Sequence, residues 1–389
     1  MIEYSQRALL PEGLQDELMP TAAAEARVIH ALTARFESHG YDLVAPPLIE
    51  FEDSLLAGPG AARGDHMFRL MDPQGQATLA LRSDITPQIA RLAATRLAGA
   101  PRPLRLAYSG QVLRVRGNQL HPERQFTQTG AELIGVDTTA ANVEVILLAV
   151  EALEALGVEG LSVDLIQPTL VPAICEAFGM DAEASRHVRA ALDAKDVGAL
   201  SGLGGDAEEV LGRLLAAAGP ADNAFEVLKE LNLPAAAAQK CTDLWDVCAQ
   251  IRTAAPNLKV TVDPGEFRGF RYHTGVCFSF FASHGHRELG RGGRYLIDSA
   301  VNGDGGESAT GFTIAIDSLL RVLPSKPAPR SVFVPFGTAA DQGAKLRSDG
   351  WQTIAGLEPV SDDRAEAERL GCGHYLHDQE VVPSGGGSE

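Results

Sequence analysis

Apolar residues along this chain recur with two different periods, and the switch between the periods divides it. In TAAAEARVIHALTARFESHG (21–40) they return every three or four positions and stop at Gly40, which predicts a helix with its terminator. From Tyr41 to about Gly135, short apolar runs alternate with turn residues. YDLVAPPLIEF, HMFRLMD, ATLALRS, LRLAYSGQVLRV and QFTQTGAELIGV each predict a strand. NVEVILLAVEALEAL (142–156) predicts an amphipathic helix ending at Gly157, with the strand LSVDLI behind it. Between about 172 and 255 the chain becomes rich in Ala and Leu and poor in aromatics. Its helical spacing is broken at Gly202, Gly204, Gly205 and Gly219, so a helical insertion is expected there. Strands resume in LKVTVDP, YHTGVCFSFF and ATGFTIAI.

PSKPAPR (324–330) reads as a linker. Beyond it, SVFVPF, AADQGAKLRSDG, WQTIAGL, DDRAEAERLG and GHYLH predict a β-α-β-α-β order. Closely spaced strands with few intervening helices argue for antiparallel pairing. The expected fold is therefore α+β, an antiparallel sheet flanked by helices over 1–325 with the insertion at about 172–255. A short C-terminal α/β module follows at 326–383, then a flexible tail at 384–389.

Composition narrows the function classes. Hydrophobic residues make up 45% and charged residues 22%, enough apolar content for a sizeable globular core. No apolar run reaches the roughly 18 residues of a membrane span, and MIEYSQRALLPEG lacks the pattern of a secretory signal. A cytoplasmic location with no membrane contact is the expectation. Cys175, Cys241, Cys248, Cys277 and Cys372 are scattered without a CxxC pair, which points to neither a zinc site nor a disulfide framework. Cys241 and Cys248, seven apart in a helical stretch, read as one core-facing stripe. His284 and His286 flank a glycine with no third ligand nearby and read as a turn, so no metal is expected. With 33 basic and 51 acidic residues the net charge is −18, which repels a polyanion unless a local basic patch outweighs it. No GxGxxG follows a strand and no Walker A loop is present, so no nucleotide cofactor is indicated by either route.

Several segments, in order, carry a more specific signal. LLPEGLQDELMP (9–20), FESHGYDLVAPPLIEF (36–51), LRLAYSGQVLRVRGNQLHPERQFTQTGAELIG (104–135), EFRGFRYHTGVCF (266–278), and GGRY with GFTIAIDSLLRVL follow one another at compatible spacing. Over about residues 9 to 323 the chain thus resembles the catalytic domain of class II aminoacyl-tRNA synthetases, specifically that of histidyl-tRNA synthetase. The resemblance places motif 1 around Pro46 at a dimer-forming strand, motif 2 at 104–135 and motif 3 at 311–323. Motif 2 arginines grip ATP phosphates because bidentate guanidinium contacts position the phosphate and stabilise transition-state charge. Arg114 and Arg124 match two such positions. The departures are Arg116 for a glutamate, His121-Pro122 for the loop's Gly-Arg, and Ser318 for the motif 3 arginine.

The amino-acid pocket is better kept. The resemblance implies Asp84 and Thr86, in LRSDITPQIAR, and Gln128 as contacts to an α-ammonium, and Glu132 as the carboxylate that reads an imidazole N–H. It implies Tyr272 and His273 beside the ring, where the family has two tyrosines, and Arg268 near the carboxylate. Arg114 completes the expected histidine-binding set, and Arg271 replaces a family aspartate. The C-terminal stretch is similar to the start and end of an anticodon-binding domain, in SVFVPFG and AEAERLGCGHYL, but is much shorter. From Lys326 to Glu389 it carries six basic and ten acidic residues, a poor surface for RNA, so no nucleic-acid partner is expected.

A synthetase fold with its histidine pocket, with the motif 3 arginine and the loop's Gly-Arg replaced and with a shortened C-terminus, resembles the regulatory subunits of ATP phosphoribosyltransferase. That resemblance implies no catalytic residues of its own and a short-form catalytic subunit as partner in a hetero-octamer containing a homodimer. Histidine would be the effector, in the first step of histidine biosynthesis. Two other readings stay open on the residues alone: an active histidyl-tRNA synthetase and a free amino-acid-binding scaffold.

Overall fold

The computed structural model describes residues 9–385 except 59, 61–63, 65, 118–121, 268–271, 284–287, 298–305 and 325–329. Helix α1 (Thr21–Ser38) leads to β1 (Asp42–Leu43), β2 (Ile49–Phe51), α2 (Glu52–Leu56), β3 (Arg69–Met71), β4 (Thr78–Leu81) and α3 (Thr86–Ala94). The long strands β5 (Leu104–Leu113) and β6 (Gln125–Ile134) precede α4 (Thr139–Ala155) and β7 (Ser162–Ile166). Then come α5 (Leu170–Ala177), α6 (Ala182–Asp193), α7 (Gly205–Ala216), β8 (Gly219–Pro220), α8 (Ala221–Glu230) and α9 (Ala235–Ala254). Strands β9 (Lys259–Asp263), β10 (His273–Phe281), β11 (Glu288–Ile297) and β12 (Glu307–Ala315) return to the sheet before α10 (Ile316–Leu320).

The nine strands of the main sheet run in the order β1-β5-β6-β12-β11-β10-β7-β9-β8. Its centre is antiparallel throughout, from β5·β6 to β10·β7, while β1·β5 and β7·β9 pair in parallel. A separate three-stranded sheet, β2-β4-β3, takes only the end of the motif 1 segment, Ile49–Phe51, and Pro46 lies in the loop between β1 and β2 and not on the expected strand. Alternation sorts the side chains of β5 and β6 onto two faces. Ala107, Ala131 and Leu133 join the core beneath α1 and α4, where Phe36 meets Phe312 edge-on at 5.5 Å. Leu106, Tyr108, Val112 and Ile134 face the other way and pack with Ile85, just before α3, and Ile89 within it.

Helix α4 differs from the amphipathic expectation. Ala141–Val143, Val145, Ile146, Leu148–Val150, Ala152 and Leu153 are all buried, which encloses most of its circumference. The reason is the insertion: α4 packs on β12 and α1, and α9 covers a side that would otherwise meet water. Its first turn is capped by Thr138, whose hydroxyl accepts from the Ala141 amide at 3.3 Å. Helices α5 to α9 occupy Leu170–Ala254, with β8 between α7 and α8. Cys248 is buried in this stretch and Cys241 half-buried against the same core, and burial raises both thiols to about 11.

The chain divides into two compact units, Met1–Leu323 and Pro324–Glu389. The second contains β13 (Ser331–Val334), α11 (Ala340–Ser348), β14 (Gln352–Ala355), α12 (Asp363–Arg369), β15 (His374–His377) and β16 (Glu380–Pro383). Its sheet order is β14-β13-β15-β16, with β16 antiparallel to β15. That added hairpin strand changes the expected start of the tail: Ser384 is buried, and its hydroxyl donates to the Cys372 carbonyl at 2.6 Å. Residues 386–389 lie outside the described residues. Among the described residues, no helix is long and apolar enough to cross a membrane, and no group of three or more His, Cys, Asp or Glu is placed to hold a metal ion. His284 and His286 lie outside them.

Candidate functional site: a buried carboxyl among hydroxyls

Gln128, Gly130 and Glu132 occupy alternate positions of β6 and so share the face turned toward α3. Glu132 is buried at 1% exposure. Its Oε2 accepts from the Tyr295 hydroxyl at 3.0 Å, and its Oε1 accepts from Thr86 at 3.1 Å and, weakly, from Tyr108 at 3.4 Å. The Tyr108 hydroxyl also pairs with that of Thr313 at 2.7 Å. Opposite Glu132 on β12 stands Gly311, where a Cβ would lie 1.7 Å from the glutamate Oε2. Only a glycine leaves the carboxyl that room.

The start of helix α3 delivers Asp84 and Thr86. Both are buried, and the Thr86 amide donates to Asp84 Oδ1 at 3.3 Å. Pro87 sits in the first turn, where its missing N–H removes no helix bond. Gln128 Oε1 accepts from the Ile85 amide at 3.2 Å, tying β6 to that turn. Tyr272 stacks on His273 with ring centroids 4.0 Å apart and meets Tyr295 edge-on at 5.8 Å. Both therefore wall the side of the site that Tyr295 closes. Arg114 lies beyond Gln128 along the sheet with its guanidinium over the Phe126 ring at 4.6 Å. Of the expected histidine-binding set, Asp84, Thr86, Gln128, Glu132, Tyr272 and His273 are gathered here, while Arg268 lies outside the described residues.

Tyr108, Tyr295 and Gly311 escape the sequence reading although their segments carry it. Their part depends on cross-strand register, since Gly130 faces Tyr108 on β5 and Gly311 faces Glu132 on β12. A tyrosine opposite a glycine two residues before a buried glutamate is the signal that would have found the first.

Burial pushes the Glu132 carboxyl up to about 8; the Tyr295 and Thr86 hydroxyls pull it down, and Asp84 adds to the rise. The consequence for stability has a definite sign. Through the window from about 4.5 to about 8 the unfolded chain gives up this proton and the folded chain keeps it. The stabilising contribution is full below that window and lost as pH rises through it, at up to about 1.4 kcal/mol per pH unit. Urea unfolding of wild type and Glu132→Gln between pH 5 and 8 should therefore show the wild type falling relative to the variant. Asp164 and Glu266, raised by burial to about 6 and about 7, are common to both proteins and cancel. Parallel pH dependences would contradict this account of the carboxyl.

The positions expected to grip phosphate present a different picture. Ser318 on α10 is wholly buried, with no hydrogen-bond partner for its hydroxyl among the described residues. Arg124 donates to the Glu12 carbonyl at 2.9 Å and lies over Phe68 at 5.0 Å, so its charge is engaged by the N-terminal segment. Arg321, one turn beyond Ser318, pairs with Glu123 of the motif 2 loop. His121 lies outside the described residues.

Comparison with known proteins bears on this contrast. The histidyl-tRNA synthetase family model matches residues 13–319. An ATP phosphoribosyltransferase regulatory subunit from Rhodospirillum centenum is 51% identical over 94% of each chain. The chain belongs to the family of ATP phosphoribosyltransferase regulatory subunits, on a class II histidyl-tRNA-synthetase-like fold. A second such subunit, from Paramagnetospirillum magneticum, is 50% identical over 98% of this chain and 99% of its own. A crystal structure from Bacillus halodurans, described as an ATP phosphoribosyltransferase regulatory subunit/histidyl-tRNA synthetase, superposes with a TM-score of 0.80. It is 25% identical and covers 93% of this chain and 96% of that one.

Proposed function

We propose that this chain is a regulatory subunit that joins a short-form ATP phosphoribosyltransferase catalytic subunit, activates it and conveys inhibition by histidine. The observation that carries the reading is a contrast between a strand and a helix of the same unit. The carboxyl suited to an imidazole N–H is built in with hydroxyl partners, while the motif 3 phosphate position holds a buried serine. Histidine would bind with its ring between Glu132 and Tyr272, and its ammonium toward Asp84, Thr86 and Gln128. A site built to pair a buried polar group discriminates against analogues that lack the matching group. Conveying inhibition requires that histidine favour one state of the complex over another, a coupling of typically about 1–3 kcal/mol.

The motif 1 edge supports a homodimer within that assembly. Leu48, Ile49, Phe51 and Met71 are exposed around the three-stranded sheet, an apolar patch that a second copy would cover in an isologous contact. Sedimentation tests both statements. The chain alone at micromolar concentration should run as a dimer, and adding the catalytic subunit should give a single larger species. A strict monomer would contradict the first, and no faster species with the partner would contradict the second.

A further inference from the structure

Arg82 lies two residues before Asp84, and it is buried. Its guanidinium donates to neutral acceptors on three elements. Nε reaches the Gln111 carbonyl of β5 at 2.8 Å, and Nη1 reaches the Pro46 carbonyl at 2.8 Å and Gln88 Oε1 of α3 at 3.1 Å. Gly110 admits it, since a Cβ there would stand 2.2 Å from Arg82 Nη2. Gln88 extends the connection: its Nε2 donates to the Pro47 carbonyl at 2.7 Å and to Glu50 Oε1 at 2.8 Å. Glu50 in turn holds Arg91 of α3 through both oxygens.

A buried guanidinium bonded to carbonyls is an expensive way to fill space, because desolvation opposes its charge. What the planar fork adds over an apolar side chain is direction. Three fixed acceptors from the β1–β2 loop, β5 and α3 fix the backbone from which Asp84 and Thr86 project. We propose that Arg82, clamped by Gln88, is a positioning residue for the ammonium end of the histidine pocket, making the 82–86 segment follow the loop at Pro46–Pro47. The inference rests on the reading of the Glu132 site as a histidine site. The imidazole end has supports outside that segment, because Glu132, which Thr86 also reaches, is bonded by Tyr295 of β11 and Tyr108 of β5.

Those outside supports supply a test that a general packing role would not satisfy. Arg82→Met and Gln88→Leu are made in the full chain, the second serving if the first does not fold. L-Histidine is compared with imidazole-4-propionate, which keeps ring and carboxylate but lacks the ammonium. The expected result is about tenfold weaker L-histidine binding, the effect of roughly one lost hydrogen bond, with imidazole-4-propionate unchanged. Equal losses for both ligands, or no loss for either, would overturn the positioning role while leaving the pocket in place. A wild-type chain that does not bind L-histidine would overturn the pocket reading itself, and the positioning role with it.

Discussion

Purified chain is expected to show no histidine-dependent exchange of pyrophosphate into ATP. Adenylation places developing charge on a phosphate, and a synthetase meets that charge with preorganised arginines. Here the motif 3 position is Ser318, wholly buried on α10, and the motif 2 loop offers Pro122. Arg124, which keeps its type, spends its guanidinium on the Glu12 carbonyl, the Arg114 carbonyl and the Phe68 ring. Arg321 is paired with Glu123. Removing one preorganised donor costs about 10²–10³ in rate, so the loss of two places exchange below detection. Steady exchange at ordinary enzyme concentrations would show that these substitutions are compensated and would remove the distinction from a working synthetase.

Glu132→Gln is expected to weaken histidine binding by about 1.5–3 kcal/mol, roughly tenfold to over a hundredfold, the range for a hydrogen bond to a charged group. The variant keeps shape and replaces one carboxylate oxygen by a donor. The neighbouring Tyr295, Tyr108 and Thr86 hydroxyls can each turn to accept from it, so the fold should tolerate the change. In the empty site burial keeps this carboxyl protonated up to about 8; a bound imidazole takes that proton up as the imidazolium and faces the resulting carboxylate, and in the variant it meets a neutral amide instead. In the complex, inhibition should need correspondingly more histidine while activation by the subunit persists, since activation draws on the docking surface. Calorimetry on both proteins with the catalytic partner present decides it. Equal affinities would place the effector site elsewhere, on the catalytic subunit or at a subunit interface.

Much of the main sheet is legible from period alone, because β5, β6, β10 and β12 combine apolar runs with turn residues at their ends. Strand β11 is not, for a physical reason. ELGRGGRYLI is too rich in glycine to read as a strand, yet its glycines are required by close approach to neighbours. A Cβ on Gly292 would stand 2.1 Å from the Gly311 carbonyl, and one on Gly293 would stand 2.6 Å from the Cys277 sulfur. Helix α3 is hidden by Pro87, which looks like a breaker and instead occupies the first turn. The polar half of the site follows from alternation along β6 together with family resemblance. The tyrosines that hold Glu132 follow only from register, which sets Tyr108 opposite Gly130 and brings Tyr295 to the carboxyl from 163 positions away. The full burial of α4 likewise depends on an insertion that packs back across it, a long-range contact that local periodicity does not encode.

The central claim, that this chain regulates a phosphoribosyltransferase through histidine, is tested most directly by one initial-rate measurement. Formation of phosphoribosyl-ATP by the short catalytic subunit is followed alone, with wild-type chain and with Glu132→Gln, across a histidine titration. The account predicts that either form of the chain raises the rate and that histidine suppresses it with wild type. With Glu132→Gln, suppression should need at least about tenfold more histidine. A catalytic subunit whose rate and histidine response are the same with and without the chain would contradict the account.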